Sequence, residues 1–112
     1  FVRRTAFAMM AWASVHRKSE PDATFLGFLP VIEEHASDSR NFVWKAVSWA
    51  LRSIGKRSIE LNDAAISLSG KLTKSDSASA RRIGREAVKE LSADKTKAAI
   101  LRRAENRAKR TG

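Results

Sequence analysis
Lys45, Trp49, Arg52 and Lys56 recur at intervals of three and four residues within RNFVWKAVSWALRSIGKR, the run from Arg40 to Arg57. That spacing puts all four on one face of an α-helix. An indole flanked by ammonium and guanidinium groups is a surface on which a base or sugar can stack while the cations take neighbouring phosphates. Val43, Val47, Ala50 and Ile54 form an apolar stripe on the opposite face of the same segment. Trp49 therefore stands about half a turn from the packing side, and two roles are open to it. Either a neighbouring helix covers the ring as core, or the ring faces outward and touches a ligand.

Further cations repeat the pattern. Arg82, Arg85 and Lys89 share the outer face of a later helical segment, a stripe that is also the ordinary make-up of a solvated face. Near the start, Arg4 lies opposite a Val2/Ala6/Met9 stripe, on a face continued by Ala8 and Ala11. Small side chains there leave room for a phosphate backbone, and an ion pair with a preceding helix is the alternative. Lys and Arg number 22 against 12 Asp and Glu, a net charge of +10 that favours a polyanion, with nucleic acid the leading partner. There is no cysteine, and His16 and His35 stand alone, so no metal or cofactor is expected. No apolar run approaches the roughly 20 residues of a spanning helix, and no signal peptide is present, so the expectation is no membrane and a cytoplasmic, nucleoid-associated setting.

The elements that position these residues are all helical in period. Residues 1 to about 17 form a first helix, with Val2, Ala6, Met9 and Ala13 on one stripe and Phe7, Met10 and Trp12 widening it enough for contacts on more than one side. The chain starts inside this pattern without a cap and reads as a fragment. Ser19, Glu20, Pro21 and Asp22 start a second helix through about Glu34, in which Pro30 is expected to make a kink or break. The Lys45/Trp49 helix ends near Gly55. A fourth, from about 59 to 72, packs through Ile59, Ala64, Ala65, Leu68 and Leu72, and a fifth, from about 77 to 91, through Ala80, Gly84, Ala87 and Leu91. A sixth begins near Lys95, with Ala98, Ile100, Leu101 and Ala104 apolar and Arg102, Arg103, Arg107, Lys109 and Arg110 charged.

Val2/Ala6/Met10, Phe42/Ala46/Ala50 and Ile83/Ala87/Leu91 recur about every forty residues, the length of a HEAT-type helix pair. The expected fold is all-α, a right-handed HEAT-like helical-repeat solenoid (an α-α superhelix) of about six helices in three pairs. The first, third and fifth helices form one layer and carry the cations.

The run Asp38, Arg40, Asn41, Phe42, Val43, Lys45, Ala46, Val47, Trp49, Ala50, Leu51, Arg52, Ile54, Gly55, Lys56, Arg57 resembles the C-terminal part of the DNA alkylation repair family, the AlkD-like, HEAT-like-repeat DNA glycosylases. Val2, Arg3, Arg4, Thr5, Ala6 upstream and Ala80, Arg81, Arg82, Ile83 downstream fit the same family in the same order. The resemblance makes residues 1–112 the C-terminal part of such a domain, without its N-terminal repeats.

It implies an enzyme that cleaves the N-glycosidic bond of cationic N3- and N7-alkylated purines in duplex DNA, without the base flipping that most base-processing enzymes use. Trp49 matches a tryptophan of the family's catalytic cleft. Arg4, directly before Thr5 and Ala6, matches its phosphate-binding arginine, with Arg3 in that role if the register shifts by one. The family's catalytic aspartate belongs to an earlier repeat. None of Asp22, Asp38, Asp63, Asp76 or Asp94 replaces it, since each reads as a cap or loop residue. The expected partner is duplex DNA, met through its phosphates and alkylated base by a monomer. Lys45, Arg52, Lys56, Arg82, Arg85 and Lys89 complete the expected DNA-binding set. Two alternatives remain: a non-catalytic DNA-binding module, and a protein-interaction scaffold using Trp12, Trp44 or Trp49.

Overall fold
Six helices follow one another in the computed structural model of the chain, which describes residues 2–17, 20–37 and 41–111, with side chains described for 5–17, 20–37 and 43–106. They are α1 (Val2–His16), α2 (Asp22–His35), α3 (Asn41–Gly55), α4 (Ile59–Leu72), α5 (Ala78–Leu91) and α6 (Asp94–Thr111). The described residues contain no strand, and none of these helices is long and apolar enough to cross a membrane. The side chains of Val2, Arg3, Arg4, Phe42, Arg107, Lys109 and Arg110, the Ser19 cap and the link Asp38 to Arg40 lie outside the described residues.

The layering follows the helical stripes. α3 packs against α1 on one side and α5 on the other, while α4 contacts α2 and α6 in a second layer. Val43, Val47, Ala50 and Ile54 are all buried, and Ala46 and Leu51 join them, so α3 is the spine of a single core. Its apolar period is strict, and burial of that stripe is the main source of its stability. α5 has the same character: Ala80, Ile83, Gly84, Ala87 and Leu91 are buried, and Arg82 and Arg85 are exposed.

Gly84 sets the distance between α4 and α5. A Cβ at this position would lie 2.6 Å from the Ser69 carbonyl oxygen and 2.8 Å from the Thr73 nitrogen, so only glycine admits the α4 backbone so closely. Ser58 caps α4 by accepting from the Leu61 amide, and Ser77 caps α5 by accepting from the Ala80 amide.

Several expectations are corrected. The buried stripe of α1 is Phe7, Ala11 and Ser14, while Ala6 and Met9 are exposed. Apolar residues occupy nearly every direction of this helix, and burial is decided by where α2 and α3 fall. Ser14 tolerates the core because its hydroxyl donates to the Ala11 carbonyl at 2.7 Å. Ala11 is wholly buried and leaves no room for a DNA backbone. α2 begins at Asp22 with Pro21 at its cap and runs through Pro30, which is exposed, without a break. In α6 Ile100 enters the core, whereas Ala98, Leu101 and Ala104 are exposed.

Two polar side chains stitch the layers. Asn62 is wholly buried; its amide nitrogen donates to the carbonyls of Gly55 and Leu91, both at 3.0 Å, and its oxygen accepts from the Lys97 ammonium at 3.0 Å. These bonds satisfy carbonyls at the ends of α3 and α5 that the helices leave open. Arg57, its side chain 8% exposed, ties the α1–α2 connection to the end of α3. Its guanidinium donates to the carbonyls of Ser14, Arg17 and Glu20 at 3.1, 2.8 and 2.5 Å, pairs with Asp22 at 3.3 Å and lies 4.2 Å from the centroid of the Phe25 ring.

Candidate nucleic-acid interface
The outward faces of α3 and α5 adjoin along a seam that is closed at both ends by contacts between the helices. At one end the Arg82 guanidinium lies 4.5 Å from the centroid of the Trp44 ring, and its Nε donates to Glu86 one turn on at 3.4 Å. At the other, Glu90 on α5 accepts from both basic residues at the end of α3: Arg52 at 3.3 Å and Lys56 at 2.6 Å. Arg52 is further oriented by a bond from its Nε to the Ser48 carbonyl at 3.3 Å. Burial pushes the Glu90 carboxyl up, but the Lys56 ammonium and the Arg52 guanidinium outweigh it and hold the group below the ordinary glutamate range.

Trp49 lies on the outer side of α3 and is 47% exposed, so its ring is not a core element. Lys45, one turn before it, is exposed, as are Arg85 and Lys89 on α5. Lys45, Trp49, Arg52, Lys56, Arg82, Arg85 and Lys89 are thus gathered on two adjoining helix faces. Arg52, Lys56 and Arg82 are held in place by partners, whereas Lys45, Arg85 and Lys89 extend toward solvent. Arg3 and Arg4, the remaining expected phosphate ligands, have side chains outside the described residues.

Sequence reasoning missed the roles of Trp44 and Glu90. Trp44 is half-buried against the core and serves as a platform for Arg82 rather than as a free interaction surface. Glu90 did have a signal: it directly follows Lys89 at the end of a cationic stripe, within reach of any basic residue that α3 presents.

A layered all-α array of helices with a cationic face interrupted by an exposed indole is the class of protein that this architecture defines. A family model described as DNA alkylation repair enzyme matches residues 1–105, and the chain belongs to that family. Membership gives it a role in DNA repair, with DNA as its partner. No curated protein and no solved structure matches the chain.

Proposed function
We propose that residues 1–112 are the C-terminal part of a right-handed HEAT-like-repeat DNA glycosylase that excises cationic N3- and N7-alkylated purines from duplex DNA without base flipping. The observation that carries this reading is the exposed Trp49 ring between the cations of α3. Duplex phosphates meet Lys45, Arg52, Lys56, Arg82, Arg85 and Lys89, with Arg4, or Arg3 in the adjacent register, binding at the lesion strand. An alkylated purine already carries positive charge. As the C1′–N bond breaks, its electron pair neutralises the base, and charge develops on the deoxyribose. The Trp49 face stabilises that charge, and water then adds to C1′ and releases a proton. A carboxylate supplied by an earlier repeat completes the centre.

The outer side of α1 supports the larger architecture. Met9, Trp12 and Val15 are 66%, 52% and 53% exposed, and the Trp12 ring lies 4.9 Å from that of His16. In a helical-repeat stack such an apolar face is where another helix pair sits. The assembled protein acts as a monomer in the nucleoid compartment of the cytoplasm.

The test is release of 7-alkylguanine from duplex DNA. The purified 112-residue chain is expected to release none, and the protein with its preceding repeats is expected to release base and to lose rate when Trp49 is changed to Ala. Excision by the short chain alone would overturn the division of the site. A non-catalytic DNA-binding module is the second reading, favoured because the carboxylates of α5, Glu86 and Glu90, are both engaged by cations and α3 has none. It predicts binding without excision at every chain length.

A further inference from the structure
Beside the Glu90 end of the α3–α5 seam, α6 adds a further wall to an open cleft of about 840 Å³. Arg52 of α3, Lys56 just after it, Lys89 of α5 and Lys95 and Arg103 of α6 converge on it, with Glu86 and Glu90 as its carboxylates. Five cations against two carboxylates leave the lining with three formal positive charges. Glu86 is bound by Arg82, which is outside the cleft, and Glu90 has its two oxygens on Lys56 and Arg52. Two side chains of the lining are tied to backbone carbonyls. The Thr96 hydroxyl donates to the Glu90 carbonyl at 2.7 Å, and the Arg103 guanidinium donates to the Lys56 carbonyl.

A carboxylate bridging a guanidinium and an ammonium carries the same single negative charge as a phosphodiester and, like it, offers two acceptor oxygens to the cations. We propose that this cleft is a backbone-phosphate seat for duplex DNA, in which Glu90 is an internal counter-anion that occupies Arg52 and Lys56 until a phosphate displaces it. The inference rests on DNA being the ligand of the basic face and extends that face onto α6, to Lys95 and Arg103. With Glu90 in place, Arg52 and Lys56 are kept aligned and partly neutralised, which weakens contact with any stray polyanion. A phosphate delivered by a duplex already seated on Lys45, Arg85 and Lys89 competes with Glu90 at high local concentration. Affinity is then conditional on engaging the whole face.

The experiment measures duplex affinity of the 112-residue chain as a function of salt for wild type, Glu90→Gln, Lys95→Glu, the Lys95→Ala/Arg103→Ala pair and Lys71→Ala. Lys71 pairs with Glu33 on the other layer and controls for loss of a charge far from the cleft. Melting temperatures establish that each variant is folded, and Lys95→Glu covers the case in which loss of Arg103 is not tolerated. Glu90→Gln is expected to bind more tightly and to steepen the salt dependence by about 1 in logarithmic slope, and the α6 variants to bind more weakly with a slope reduced by about 1 for each phosphate no longer held. Wild-type binding that Lys95→Glu and the α6 pair change no more than Lys71→Ala overturns the cleft while leaving the DNA reading intact. So does a Glu90→Gln variant that binds no tighter. Failure of wild type to bind duplex at low salt removes both. Inorganic phosphate that displaces the duplex at constant ionic strength from wild type, but not from the α6 pair, would reassign the cleft to a free small anion.

Discussion

Changing Trp49 to Ala separates a ring that packs from a ring that binds. Full burial of a large apolar side chain contributes at most about 3 kcal/mol, and Trp49 is 47% exposed. Its removal forfeits roughly half of that, about 1 to 1.5 kcal/mol, and leaves no closed cavity because the site already opens to solvent. For a chain of this size the melting temperature should drop by about 4 to 8 °C. A ring inside the core would cost roughly 3 to 5 kcal/mol and would unfold so small a domain near room temperature. Thermal melts followed by circular dichroism read the first half of the prediction. Tryptophan fluorescence reads the second: duplex DNA should quench the wild type, and Trp49→Phe should remove a large part of that quench while Trp12→Phe does not. A loss of more than about 3 kcal/mol would refute the exposed placement. Quenching insensitive to Trp49 would refute its contact with DNA.

Arg57→Ala should destabilise the fold by about 2 to 4 kcal/mol, because carbonyls of the α1–α2 connection lose their donor. Arg57→Lys should recover little of this in chemical denaturation, since an ammonium cannot fork between Asp22 and those carbonyls while lying over Phe25. Gly84→Ala should cost about 1 to 3 kcal/mol by overpacking, as the new methyl meets α4 backbone that cannot step aside, and should lower the melting temperature without changing the helical spectrum. Glu90, held low in the fold, contributes stability that is fully present above its unfolded value of about 4.3 and is lost as pH falls through the lower folded value. Glu90→Gln should therefore flatten the acid side of the stability curve below about pH 4.3, and an unchanged acid limb would count against its pairing with Lys56 and Arg52.

Periodicity made α3 and α5 legible in the sequence. In both, apolar and charged residues fall on opposite sides with few exceptions, so the buried set and the outward cations follow from spacing. α1 was harder because Val2, Ala6, Phe7, Met9, Met10, Ala11 and Trp12 cover almost the whole circumference. Only the positions of its neighbours select Phe7 and Ala11 over Met9. Asn62 could not be read as core at all, since its polarity argues for the surface until the Gly55 and Leu91 carbonyls are seen converging on it. The Arg82–Trp44 and Glu90–Arg52 contacts depend on the axial register of α5 against α3, and no local pattern encodes that register.

A stack of helix pairs can fray from its ends, each pair leaving with little consequence for the next. Asn62 works against such unzipping. One side-chain amide is shared by the last carbonyls of α3 and α5 and by an ammonium from α6, so releasing α6 strips a partner from a buried group inside α4. The penalty is felt one pair further in. The boundary between the second and third pairs is thus a coupled joint rather than a line of weakness.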